Sequence, residues 1–600
     1  MNPLIQFKPT IPQRNRERQD SFAKLEVITM KIMRSVVSRK CFHRNNIQSP
    51  LRSIERAFLP LAAAILTFLL ATASSFAGSA TWKVTPANTD WNTAANWVAN
   101  GPPNGPADTA TFASSNIRRP IISQTTEVNG IVFNPGASAF TITSPFFSFT
   151  INGVGITNNS GITQNFVSGP TVINFLNNAT AGSLTHFTNT GDITFGDSAT
   201  AGNASFTNNA ALKFGATSTA GNATVTNNVE VLFQGSSTAG NATFNNEFGI
   251  VIFMDTSTAG NATFTNGGGT VSGTGGGFTV FQAGSTAGNA TVITNGATVS
   301  DAFKGQNLFE GDAGNATLIA NGGSNGGEGG FIQYRLGSTG GTARVEVFGN
   351  GTLDISQHNA PGVTTGSIEG SGLVFLGGVN LTVGSNNLST IFSGVMQDGG
   401  FSGGTGGSLT KTGTGKLTLS GASTYTGVTI VNAGTLLVSN TTGSATGPGA
   451  VKVNAGTLGG SGTITGAVTI GTGSGAGAFL APAGGTRKQA TLTSQSALTF
   501  NGDATYTYTF KAKGNKNRTD KMVALGVTIK AGATFVSQGT VQGALQAGLV
   551  LTVISNTSAT PISGTFSNLA DGAILTANGN NFQASYEGGD GNDLTLTVVP

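Results

Sequence analysis

A chain of 600 residues with 89 Gly and only 9% charged residues, filled out mainly by Asn, Thr, Ser and Ala, is not of average globular composition. Its 38 Phe and slightly positive mean hydropathy exclude a disordered chain, which lacks the apolar surface to fold. The formal charge is +4, but residues 1–77 hold 12 Lys+Arg against four acids, leaving 18 against 22 for the remainder. Taken as a whole, that remainder has no basic footprint for nucleic acid or an anionic membrane.

In chain order, the first element is a leader over 1–77. A basic stretch precedes the apolar run from Ala57 to Ala73, and Ser75 and Ala77 put small residues at the −3 and −1 positions of a cleavage site before Gly78. This pattern predicts a secretory signal peptide, with Met30 and Met33 as alternative starts that give a leader of ordinary length. The sole cysteine, Cys41, lies in the leader, so the exported chain has no thiol for a disulfide, a metal or catalysis. Past residue 78 no apolar run is long enough to span a bilayer as a helix.

Residues 78–120 contain all three tryptophans, Trp82, Trp91 and Trp97. They suit either a sugar-stacking platform or a cap, and the reading favours an N-terminal cap because an open solenoid end must be covered.

Over 121–400 the chain repeats itself. Thr-Ala-Gly or a close variant recurs at Gly182, Gly202, Gly221, Gly240, Gly260, Gly288, Gly314 and Gly340, and six of these continue as Ala-Gly-Asn-Ala. An aromatic stands six residues before the Ala or Gly of most repeats: Phe175, Phe195, Phe214, Phe233, Phe253, Phe281 and Tyr334, with Phe309 out of phase by two. Each unit reads as two short alternating strands separated by Asn-Asn and a Gly/Ser/Thr turn. So short a unit cannot form a core alone, so successive rungs must stack in a parallel ladder about 4.8 Å apart, roughly 18 of them over 120–480. Phe is then expected to stack inside, and Asn203, Asn222, Asn241, Asn261, Asn289 and Asn315 to form a side-chain amide ladder. Five of these asparagines also sit in Asn-Ala-Thr glycosylation sequons, but their coincidence with the repeat favours the ladder.

The fourth region, 401–484, carries the most specific motif: GSLTKTGTGKLTLSGASTYTGVTIVNAGTL from Gly407 to Leu436. It resembles the autotransporter-associated β-strand repeat at Leu409, Lys411, Gly413, Gly415, Leu417, Leu419, Gly421, Tyr425, Thr426, Gly427, Asn432, Gly434 and Leu436. Residues 454–464 look like a following rung of the same type. The resemblance implies a right-handed parallel β-helix in a bacterial passenger-type surface protein. The sequence departs from the autotransporter plan in having no final succession of amphipathic strands suited to an outer-membrane barrel.

Residues 485–600 are predicted to form a C-terminal β end module. Within it Lys511, Lys513, Lys516, Arg518 and Lys521 form a basic cluster, read as a charged hairpin that discourages edge association, with contact to anionic glycans as the other reading. Gly588-Gly589-Asp590-Gly591-Asn592-Asp593 resembles one calcium-binding nonapeptide. A single copy with Thr595 where a large apolar residue is wanted is read instead as a turn.

Chemistry is sparse. The acids between 170 and 400 do not recur at one phase, although Asp197 and Asp255 share one three rungs apart. With only His186 and His358 beyond the leader, a metal cluster or a catalytic triad lacks its parts. The fold expected is all-β, a parallel β-solenoid with an N-terminal cap and a C-terminal end module. No catalytic, metal or cofactor-binding residue is assigned and no cofactor is expected. The predicted function is a secreted or cell-surface structural or adhesive protein that is not an enzyme; the alternative is a carbohydrate-active β-helix enzyme. The partner is unknown, with extracellular glycans or cell-surface components as candidates and nucleic acid excluded.

Overall fold

The computed structural model describes residues 78–98, 101–484 and 488–600. The leader, Cys41 and the expected cleavage site lie outside the described residues. From residue 80 onward the chain winds as a parallel β-helix. One face is a sheet of 15 strands from Ala80–Thr81 to Val395–Gln397, all paired in parallel with the turn before and after.

A single rung shows why this sequence winds so. Strand Ala211–Phe214 alternates out and in, burying Leu212 and Phe214, and pairs with Asp192–Phe195 below and Glu230–Phe233 above. The chain then turns a corner at Thr219, which makes a one-residue parallel bridge to Thr200 and Thr238. The Thr219 Oγ1 accepts a hydrogen bond from Gly221 N–H at 3.0 Å. Gly221 has φ +63°, and a Cβ there would stand 2.8 Å from the Gly202 carbonyl oxygen, so the repeated glycine is demanded by both conformation and space. Strand Thr224–Asn227 forms the second face, in register with Ser205–Asn208 and Thr243–Asn246.

Superposing identical rungs brings like side chains together. Phe175, Phe195, Phe214, Phe233, Phe253, Phe281, Phe309 and Tyr334 stack in one column at centroid separations of 4.6–5.2 Å. Phe309 is thus in phase: it pairs with Phe281 and Tyr334, and its offset is absorbed in a shorter path to the next corner. A second column, Phe166, Phe187 and Phe206, and further up Phe244 and Phe264, meets the first edge to face, as in Phe233–Phe244 at 5.9 Å. Offset and T-shaped ring contacts favour this arrangement over mere burial.

Two amide ladders run beside the rings. The expected one is present: Asn222 Nδ2 donates to Asn203, Asn241 to Asn222, Asn261 to Asn241, Asn289 to Asn261 and Asn315 to Asn289, at 3.0–3.2 Å. A second, fully buried ladder links Asn189, Asn208, Asn227, Asn246 and Asn266 at 2.6–3.1 Å. It stops where Thr294 and Ala320 replace asparagine in register.

At that point the rungs lengthen. Gly-rich insertions at 267–277, 295–305 and 321–330 leave the helix and bond to one another, for example Gly273 N–H to Asp301 O at 3.0 Å and Ala297 N–H to Glu328 O at 2.8 Å. They cover Val280 and Leu308, outward positions that are partly exposed in the shorter rungs. Strand Gly362–Gly370 pairs with both Asn380–Val383 and Thr390–Phe392, which joins two faces into one hydrogen-bonded network without closing a barrel.

The ends are closed differently. Trp82, Trp91 and Trp97 are buried, Trp97 meets the other two edge to face at 4.9–5.1 Å, and each spends its indole N–H on a backbone carbonyl. That leaves no tryptophan face for a sugar. At the other end the parallel strands Thr463–Ile464, Thr491–Ser494, Lys521–Ala524 and Val550–Asn556 give way to antiparallel Asp593–Val599, Asn580–Gly588 and Ile574–Ala577. The switch from parallel to antiparallel pairing ends the rung-on-rung stacking.

Candidate functional site

Where the acids of the rod go decides what chemistry it can do. Asp192 pairs with Lys213 on the next rung at 2.5 Å, and Lys304 with Glu328 at 3.2 Å. Asp197 and Asp255, which share a phase, each turn back to cap the rung below: their carboxylates accept from Asn177 N–H at 2.9 Å and Gly235 N–H at 2.8 Å. Asp354 is buried and accepts from Ser356 and Phe401 N–H, both at 2.7 Å. Asp398 holds the Gly406, Gly407 and Thr426 amides. These carboxylates fasten turns.

One cluster has catalytic residue types together. Glu346 and Glu369 are adjacent in register on neighbouring rungs, and Arg344 pairs with both, with Glu346 at 3.2 Å. Burial lifts the Glu346 carboxyl above its ordinary range while Arg344 opposes the shift. His186 and His358 are not brought together. His186 Nδ1 lies 2.9 Å from Ser205 Oγ, and burial lowers its pKa. Both ring nitrogens of His358 lie within hydrogen-bonding distance of backbone carbonyls, at 2.7 and 2.8 Å. In the nonapeptide-like turn, Asp593 accepts from Asn556 N–H at 2.8 Å and Asn592 donates to Ser558 O at 2.6 Å, tying it to the preceding strand. Among the described residues no three His, Cys, Asp or Glu are placed to hold a metal.

The basic cluster is resolved into two parts. Strand Phe510–Lys513 buries Phe510 and Ala512 and turns Lys511 and Lys513 outward. It returns as Lys516–Thr519 through a two-residue loop in which Gly514 has φ +58°, the conformation a type II′ turn asks of its first loop residue. Lys511 faces Arg518 and Lys513 faces Lys516 across the pair, and Thr540–Gln542 lies along the other edge. The result is an open cleft of about 650 Å³ lined by these four cations with Asn515, Asn517, Thr540 and Gln542. Buried Asp520 fixes the hairpin base by accepting from Ala490 and Thr509 N–H at 2.9 and 3.0 Å. Lys521, expected in the cluster, lies on the other sheet.

The family-like segment folds upon itself. Leu409 pairs with Thr429, Leu417 with Leu436 and Leu419 with Val438, so the motif is one turn and the start of the next. Its Lys411 points inward, between Val383 and Val431, and donates to the carbonyls of Thr412, Gly413 and Ala433. Burial lowers its pKa to about 8. Lys411 stands two residues after Leu409 on an alternating strand, so the period of two itself places it on the inward face.

Residues 409–438 match the family model of the passenger-associated-transport-repeat. The chain therefore carries a repeat of autotransporter passenger type within its parallel β-helix. No curated protein matches the chain.

Proposed function

We propose that this chain is a secreted or cell-surface structural and adhesive rod without catalytic activity. The observation that carries the reading is the use made of the recurrent residues: Phe in the core columns, Asn in the ladders, Thr and Gly at the corners. What repeats is spent on stacking and turning, and the second face turns out a run of Ser, Thr and Asn from Ser205 to Thr265. The leader pattern and the passenger-type repeat support export. Cleavage after Ala77 is part of the proposal: mass spectrometry of the exported protein is expected to find Gly78, or a residue within a few positions, at the N-terminus, and a full-length cytoplasmic product opposes it.

A carbohydrate-active enzyme is the second reading, and the Arg344, Glu346 and Glu369 cluster is the observation in its favour, since glycosidic cleavage needs paired carboxylates or a carboxylate with a cation. A glycan array combined with a polysaccharide-depolymerisation screen separates the two. Binding without turnover supports the adhesive rod. Cleavage abolished by Glu346→Gln or Glu369→Gln overturns it.

A further inference from the structure

We infer that the cleft on the 510–519 hairpin is a binding site for an anionic polysaccharide. The inference rests on the chain being outside the cell, and it names the ligand class that the adhesive reading leaves open.

Lys511 opposite Arg518 and Lys513 opposite Lys516 are like charges placed directly across an antiparallel pair, an arrangement that destabilises a sheet. Among the described residues none of the four is in an ion pair. The nearest acid on the hairpin, Asp520, is buried beneath it and occupied with backbone amides. Charge on the edge strand Lys516–Thr519 discourages pairing with other strands, but four cations set face to face carry a repulsive cost that spread charges would avoid. A ligand that supplies the missing negative charge removes the conflict.

The geometry selects the kind of anion. Outward residues two apart on a strand are about 7 Å apart and neighbouring strands about 5 Å apart, so the cations make a grid suited to a polymer with regularly spaced charges. Thr540 and Gln542, in register with Lys511 and Lys513, and Asn515 in the turn offer neutral donors and acceptors of the kind that pair with sugar hydroxyls. The lining has no aromatic ring for stacking bases and no large apolar side chain for entering a bilayer, which sets nucleic acid and membrane below a sulfated or uronic-acid polysaccharide.

The test uses the purified exported chain with dextran sulfate, polygalacturonate and neutral dextran as probes, and with duplex DNA and phosphatidylglycerol vesicles as competing polyanions. Binding to an acidic polysaccharide, falling steeply with salt, is expected, with no binding to dextran. Replacing Lys511, Lys513, Lys516 and Arg518 together by Gln is expected to weaken it roughly 100-fold or more, given about fivefold per charge at an anionic surface. The melting temperature of that variant should equal or exceed the wild type, because repulsion is relieved, and Lys→Arg at 511, 513 and 516 should retain binding. Undiminished binding by the Gln variant, tighter binding to DNA or vesicles, or no binding to either acidic polysaccharide overturns the site. A protein still found outside the cell in those cases leaves the surface reading standing.

Discussion

Removing one ring from the inner column tests how the rod is held together. Phe233 is fully buried between Phe214 at 4.8 Å and Phe253 at 4.6 Å, with Phe244 edge-on at 5.9 Å. Phe233→Ala deletes the ring from a site whose neighbours are fixed by the ladders above and below, so little collapse can fill the space. The usual cost of such a truncation is about 3–5 kcal/mol, and three aromatic contacts at about 0.5–1.5 kcal/mol each make up a sizeable part of it. Because a solenoid's stability is a sum of rung and interface terms, the loss should be local. Denaturant melts monitored together with amide hydrogen exchange should show protection lost first in strands Ala211–Phe214, Glu230–Phe233 and Ile250–Phe253. The control is Ser236→Ala, which removes an exposed hydroxyl contact to Thr256 at 2.9 Å and should change stability by less than about 0.5 kcal/mol. Equal, small effects at the two positions would refute an inward Phe column.

Other perturbations probe separate parts of the account. Gly240→Ala places a Cβ 2.7 Å from the Gly221 carbonyl oxygen at φ +64°, and circular-dichroism melts should show a loss of at least about 1–2 kcal/mol. Lys411 has a folded pKa of about 8, below its ordinary value of 10.5. The unfolded chain therefore binds more protons between these values, and stability should rise from pH 8 upward, by about 3 kcal/mol in full. Buried tyrosines such as Tyr425 act oppositely above about pH 10, so the measurement is the difference between wild type and Lys411→Met from about pH 8 to 9.5; a constant difference contradicts the buried ammonium. Melts with and without chelator should superimpose, because one nonapeptide-like turn whose Asp593 already bonds Asn556 N–H cannot build an interlocking calcium site.

The fold was legible because its signal is periodic. Fixed spacing of Phe, Gly and Asn translates directly into columns, since parallel in-register stacking superposes equal positions. Phe309 shows the limit: counting residues to the corner put it out of phase, whereas the ladder follows strand pairing and lets the turn shorten. Asn208, Asn227 and Asn246 of the buried ladder stand in Asn-Asn pairs read as separators between strands, because polarity argues against burial until a partner is known. The three insertions looked like irregular spacing, and their mutual bonding depends on contacts between rungs. At the candidate site the hairpin was readable from Lys-Gly-Asn-Lys, but the exclusion of Lys521 depended on which sheet its strand joins. The pairing of Glu346 with Glu369 was hidden for the same reason, being defined by the rung each meets, whereas the inward face of Lys411 follows from its spacing of two from Leu409.

The central claim is that length of chain is converted into rungs of constant height. Spin labels at Ser205, Thr224, Thr243, Thr263, Thr291 and Thr317, successive outward positions in register, measure it by pulsed dipolar spectroscopy. Ser205 to Thr291 spans four steps and should give about 19 Å, and Ser205 to Thr317 about 24 Å, at about 4.8 Å per rung. The step from Thr263 to Thr291 should add no more than the shorter step from Thr243 to Thr263. Distances that grow with the number of residues between the labels, instead of with the number of rungs, would contradict the stacked β-helix and the functional reading built on it.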